Sequence, residues 1–235
     1  MKKLTTLLAL FITISSFSQS ITGNELLEKA IQFHDPNGNW NTFKGDFFVT
    51  METPNNGVRK SKITIDLPNQ YFSVLAKKDT ISTAFIVDKE NCSFSLNGKQ
   101  NLSADKKKKY SLNCERANLY KNYYTYLYGL PMKLKDEGTI IHQEVATKTF
   151  KGKEYLVLKV TYKQNIGKDT WYFYFNPKTF AMEVYQFFKE TKDSGEYILL
   201  SGLETINAIK MPKVRTWYYN KDNNYLGTDI LSTTK

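Results

Sequence analysis

Few residues in this chain have the types and spacing that chemistry needs. There are two histidines and two cysteines among 235 residues. His34 stands beside Asp35 where a helical pattern ends, and a general base needs a positioned partner that this dipeptide does not supply. Histidine near a helix C-terminus and aspartate before Pro36 are ordinary capping choices. His142 and Glu144 lie two apart on a strand pattern, so they point to one face and could begin a metal site. Zinc takes three or four protein ligands, and no third is in evidence. Lys159 alone among the lysines sits inside an apolar run, where alternation turns it outward, away from the desolvation that Schiff-base chemistry requires. No G-x-S-x-G, H-E-x-x-H, EF-hand, Walker A or G-x-G-x-x-G pattern occurs. The residues imply no catalytic site, no metal and no cofactor, and they place a hydrolase or aldolase behind two non-enzymatic classes.

The first eighteen residues address the chain. Lys2 and Lys3, the apolar run Leu4 to Ile14 and the small-x-small triplet Ser16-Phe17-Ser18 make a secretory signal peptide over residues 1–18. The apolar run is too short to span a bilayer as a helix, so no transmembrane span is expected after cleavage. No cysteine stands at the cleavage point, so no lipobox is present, and the mature chain begins near Gln19 as a single domain over 19–235. A periplasmic or secreted location follows. The formal charge is +10. Outside the cytosol this basic balance removes nucleic acid as a partner and leaves an anionic envelope surface. Export also governs Cys92 and Cys114: in an oxidising compartment a lone pair is expected to be a disulfide, the alternative being two buried thiols.

These residues must be positioned by elements that the sequence marks clearly. Thr22 and Glu25 form a capping box, with Ile21 and Leu26 as its hydrophobic staple, and the stripe Leu26, Leu27, Ala30, Ile31, His34 runs until Asp35-Pro36-Asn37-Gly38 ends the helix. Strand patterns follow at Phe47 to Met51, Ile63 to Leu67, Tyr71 to Lys77, Ile81 to Asp88 and Cys92 to Leu96, the last closing on the hairpin dipeptide Asn97-Gly98. A lysine-rich segment, Lys106 to Lys109, precedes a second helix at about Glu115 to Tyr128, with Leu119, Tyr120, Tyr123 and Leu127 at helical spacing and Gly129 and Pro131 beyond. Strands then recur at Glu154 to Lys163, Thr170 to Phe175, Met182 to Lys189, Glu196 to Glu204, Lys213 to Tyr219 and Gly227 to Ser232, with a weaker run near Thr139 to Val145. Short connections and no βα alternation predict a mainly β (α+β) chain, one large antiparallel sheet that curls.

The aromatic residues carry most of the functional signal. Trp171, Phe173 and Phe175 fall on one face of a strand, and Tyr172 and Tyr174 on the other. A sheet wrapped around an apolar cavity needs this pattern, and so does a helix-packed sheet with tyrosines exposed on its far side. The tyrosine-rich helix suits a lid over such a cavity, or simply a helix half-buried on the sheet. Arg215 beside Trp217 is compatible with an anionic or glycan-binding surface and equally with a solvated one. The candidate cavity residues are Phe47, Val49, Ile63, Ile65, Tyr120, Tyr123, Leu127, Trp171, Phe173 and Phe175.

The run Trp171-Tyr172-Phe173-Tyr174-Phe175-Asn176-Pro177-Lys178-Thr179 resembles the central hairpin of the LolA-like and LolB-like lipoprotein-carrier superfamily. Ile206-Asn207-Ala208-Ile209-Lys210-Met211-Pro212-Lys213 is similar to the I-x-x-P passage before that group's last long strand, and the order of elements agrees over about residues 21 to 232. The resemblance implies an unclosed antiparallel half-barrel, helices covering its mouth, and acyl chains held in an apolar cavity. The expectation is a non-enzymatic periplasmic carrier for a lipid, a lipoprotein acyl chain or a similar amphiphile. The other class is an envelope structural or interaction protein with a filled core, binding protein or glycan. No arginine of this chain is matched to the one that holds the family's lid closed.

Overall fold

The computed structural model describes residues 21–191 and 193–234, so the expected signal peptide lies outside the described residues. Helix α1, Gly23–His34, begins where its capping box predicts: the Glu25 N–H donates to Thr22 Oγ1 (3.3 Å) and the Thr22 N–H to Glu25 Oε2 (2.8 Å). Its buried stripe is Leu26, Leu27, Ala30 and His34. A meander follows: β1 (Lys44–Thr53), β2 (Asn56–Asp66), β3 (Tyr71–Lys78), β4 (Ile81–Asp88) and β5 (Asn91–Leu96). After α2 (Ala104–Lys109) and α3 (Cys114–Gly129), a second meander runs through β6 (Thr139–Phe150), β7 (Lys153–Tyr162), β8 (Thr170–Phe175), β9 (Met182–Phe188), β10 (Glu196–Ile206), β11 (Ile209–Tyr219) and β12 (Tyr225–Ser232).

The two meanders become one sheet because β12 pairs with β1, with Val49 opposite Leu231 and Met51 opposite Asp229. The strand order is β5-β4-β3-β2-β1-β12-β11-β10-β9-β8-β7-β6, all antiparallel, with β5 and β6 as separate edges. It is the curled antiparallel sheet that the turn pattern predicts, left unclosed as the half-barrel that the resemblance implies.

Local chemistry accounts for most boundaries. Asn97 (φ 48°) and Gly98 (φ 77°) form the expected tight turn, but it closes only the single bridge Leu96 to Lys99, because the chain leaves for α2 instead of returning as a strand. Strand β11 starts four residues before the expected Lys213. Asn207 (φ 50°) and Ala208 (φ 62°) make a two-residue turn that pairs Ile206 with Ile209, so the passage is a true hairpin.

The sheet's concave face and the helices share one continuous core. Phe47, Val49, Ile63, Ile65, Phe72, Val74, Phe173 and Phe175 meet Leu26 and Leu27 of α1 and Tyr124, Leu127 and Tyr128 of α3 in it. The convex face carries a small second cluster of Tyr155, Val157, Tyr174 and Val184, against which Tyr172 and Phe150 pack. The two-sided aromatic pattern of β8 therefore serves both faces.

Helix α3 departs from its expected stripe. Ala117, Tyr124, Leu127 and Tyr128 are its buried side chains, whereas Leu119 is 54% exposed. Large apolar and aromatic residues occur all round this helix, so spacing does not select a face; packing on β3, β4 and β5 does. A Cys92–Cys114 disulfide, Cα–Cα 5.7 Å, ties edge strand β5 to the first residue of α3. Replacing both cysteines by serine is expected to lower the unfolding free energy by about 3 kcal/mol in a urea titration, the size of loop-closure entropy released. A loss below about 1 kcal/mol would show that the bridge constrains little in the unfolded chain.

Candidate ligand groove

The concave side has two halves. Beneath α3, toward β1, β2 and β12, the space is filled. Arg59, Asp229 and Arg215 stand in one cross-strand row, since Met51 lies opposite both Arg59 and Asp229, and Asp229 lies opposite Arg215. Arg215 is 1% exposed. Its guanidinium donates to Pro212 O (2.8 Å) and Leu127 O (3.3 Å), and its Cζ is 4.0 Å from the centre of the Tyr128 ring. It thereby holds a carbonyl in the last turn of α3 against β11. Arg59 donates to Tyr124 Oη at 3.4 Å. Burial raises the Asp229 carboxyl above the usual aspartate range, opposed by Arg215 and Arg59. Burial likewise raises the phenols of Tyr124, to about 12, and Tyr128.

Arg215 is thus a tie between helix and sheet and takes no part in any solvated surface beside Trp217. Leu200 and Ile198, its neighbours in β10, face the core, and residues 215 and 217 share that face by strand alternation.

On the other side of α3, toward β7, β8, β9 and β11, the space stays open. A groove of about 680 Å³ runs there, within the range of small-ligand sites. Leu119, Tyr123, Tyr126 and Leu127 of α3 form one wall; Tyr162, Trp171, Phe187 and Trp217 of the sheet form the other. Trp171 stacks on Phe187 (centroids 4.7 Å apart, 27° between planes), Tyr126 meets Trp171 edge-on (5.8 Å, 66°), and Tyr123 lies parallel to Trp217 (6.4 Å, 19°). The Tyr126 and Tyr162 hydroxyls hydrogen-bond each other across the groove, and burial pushes Tyr162 up to about 12. Ile166, 53% exposed in the loop before β8, and Leu119 are apolar side chains left open to water along it.

Of the cavity residues expected from sequence, Tyr123, Leu127 and Trp171 line this groove. Phe47, Val49, Ile63, Ile65, Phe173 and Phe175 are buried in the packed core. Tyr120 packs on Phe85, 5.3 Å between centroids. Phe187, Trp217, Tyr126 and Tyr162 complete the groove and lie outside the set that the sequence suggests. Phe187 had a readable signal, being the apolar residue in phase with the core-facing residues of β9.

The histidines lie elsewhere. His34 is fully buried, its Nδ1 2.6 Å from Lys210 O, and it accepts the Met182 N–H at Nε2 (2.9 Å). It joins α1 to β9 and β11, a tertiary role in place of the capping role its position suggests. Asp35 is the C-cap of α1, its backbone N–H donating to Ile31 O (2.7 Å), while its carboxylate accepts the N–H groups of Asn39 and Trp40 in the following turn, 2.8 Å each. His142 is on the convex side, Nε2 3.0 Å from Thr161 Oγ1. Among the described residues no cluster of three His, Cys, Asp or Glu side chains could hold a metal ion, and no helix is long and apolar enough to cross a membrane.

An unclosed antiparallel half-barrel with a helix over its concave face is a LolA-like fold. Two solved structures are similar over nearly their whole lengths: a LolA superfamily protein from Nitrosomonas europaea (11% identity, TM-score 0.53) and an outer membrane lipoprotein-sorting protein domain from Vibrio parahaemolyticus (9%, TM-score 0.50). Each match covers 91% of this chain and 92% of the other. At such identities the likeness establishes the fold alone. The chain belongs to DUF6503, a family of unknown function whose match spans residues 2–233. No curated protein matches it.

Proposed function

We propose that the mature chain is a periplasmic or secreted, non-enzymatic carrier or binding protein for a lipid, a lipoprotein acyl chain or a similar amphiphile. The observation that carries this reading is the aromatic groove beside α3, an apolar surface left unfilled on a sheet whose other half is covered by the shared core. The lipoprotein-sorting name of one structural neighbour supports the ligand class. The basic charge suits work near an anionic envelope surface.

A groove of about 680 Å³ has room for a twelve-carbon chain. At about 0.8 kcal/mol per buried methylene, less an association cost of about 4 kcal/mol, a twelve-carbon amphiphile is expected to bind with a Kd of about 100 µM. Lipid extraction with native mass spectrometry of the purified mature protein, and titration with dodecyl maltoside below its critical micelle concentration, test this. Trp171 and Trp217 line the groove while Trp40 is buried in the core, so intrinsic fluorescence reports occupancy. Phe187→Ala is expected to weaken binding about fivefold to tenfold by removing the ring stacked on Trp171. A reproducibly empty protein that takes up no amphiphile would remove the carrier reading. It would leave the interaction-protein reading, which the buried core beneath α3 also favours.

A further inference from the structure

The charge of the groove runs against the charge of the chain. The protein is formally +10. The charged side chains lining the groove are Asp136, Asp169, Glu196 and Lys133. Lys133 is ion-paired with Asp136, which leaves Asp169 and Glu196 as its uncompensated charges, and among the described residues neither forms an ion pair.

Their placement is specific. Trp171 of β8 lies opposite Phe187 of β9, and Phe187 lies opposite Glu196 of β10. The Glu196 carboxylate therefore stands next in row to the stacked Trp171–Phe187 pair, on the same concave face. Asp169 enters the groove from the loop two residues before Trp171. Lys189 opposes the effect of burial on Glu196 without reaching ion-pair distance. A cation seated at this end of the groove meets an aromatic surface and two carboxylates together, whereas an anion meets two like charges in partly desolvated surroundings.

We propose that the groove selects amphiphiles whose head group carries an ammonium, in preference to anionic ones, with Glu196 and Asp169 reading the charge and Trp171 and Phe187 holding the chain beneath it. This deepens the carrier reading and rests on it. Whole-protein charge predicts the opposite order, so the sign of the preference is itself the test.

The experiment compares three probes that share a twelve-carbon chain: dodecylamine, laurate and dodecyl maltoside, each below its critical micelle concentration and read by tryptophan fluorescence. The amine is expected to bind about tenfold more tightly than laurate. In a Glu196→Gln/Asp169→Asn double variant the ratio is expected to fall to about one, and each single variant to lower it in part. Asp105→Asn on exposed helix α2 removes a negative charge away from the groove and is expected to leave the ratio as it was. Circular dichroism melts verify that each variant is folded. Laurate binding as tightly as the amine, or a ratio that survives the double variant, overturns the charge selection while amphiphile binding stands. Binding of none of the three overturns both readings.

Discussion

Arg215→Ala will cost the fold about 3–5 kcal/mol and release the end of α3 from the sheet. The side chain is 1% exposed and is engaged by Pro212 O, Leu127 O and the face of Tyr128. Removing it leaves a carbonyl of α3 without its donor and leaves Asp229, buried beside it, with Arg59 as its remaining positive neighbour. Urea unfolding measures the loss, and amide hydrogen exchange is expected to rise in the last two turns of α3 before it rises in β1 or β12. A second variant separates lost charge from lost packing. Arg215→Met/Asp229→Asn keeps most of the volume and removes the buried charge along with its partner, so it is expected to recover about half of the loss. An Arg215→Ala protein within about 1 kcal/mol of the parent would mean that α3 is held by its apolar contacts alone. Because Leu127 also lines the groove, the tie sets where one wall of the groove stands.

Acidification will destabilise the protein through His34. A backbone N–H can only donate and a carbonyl can only accept, so Met182 and Lys210 together require Nε2 to be bare and Nδ1 to carry the proton: the neutral imidazole. Burial lowers its pKa from 6.5 to about 4, with the Lys210 carbonyl opposing the shift. The unfolded chain thus takes up the proton first as pH falls. The contribution to stability is complete above about pH 6.5 and is lost progressively down to about pH 4, in total about 3 kcal/mol. His34→Gln is expected to flatten this stretch of the stability–pH curve while lowering stability at pH 7, since Gln reaches at most one of the two backbone groups. Equal slopes for parent and variant between pH 6.5 and 4 would assign the acid loss to the carboxylates instead.

Much of the architecture is local and was legible. Thr22 and Glu25 announce α1 because a capping box is a contact three residues long. The alternation in Ile63, Ile65 and Leu67, and in Trp171, Phe173 and Phe175, assigns strands and their core faces because side chains in an extended chain alternate whatever the partner strand is. The resemblance of the β8–β9 hairpin and the Ile206–Lys213 passage to the LolA-like group predicted the half-barrel that is observed.

The candidate site was legible only in part, and the reason lies in which interactions are non-local. Trp171, Tyr123 and Leu127 could be named as lining residues, but so could Phe47 and Ile65, which are equally apolar and equally in phase. What separates them is that α3 lies against one half of the concave face and stands off the other, a choice made by Tyr124, Tyr128 and Arg215 together. Arginine at position 215 reads as surface because burying a guanidinium is costly unless carbonyls and a ring are waiting for it, and these come from α3 and from Pro212 of β11 itself.

The amino-acid sequence by itself determined most of the elements, the faces of the strands and of α1, the expected Cys92–Cys114 bridge and the curled antiparallel class, since each depends on neighbours a few residues away or on composition. Only the tertiary structure decided that β1 pairs with β12 to fuse two meanders, that His34 is a buried strut, and that a filled half and an acidic aromatic groove share one concave face. Those outcomes depend on free energies of burial and pairing between segments distant in the chain, which no local pattern encodes.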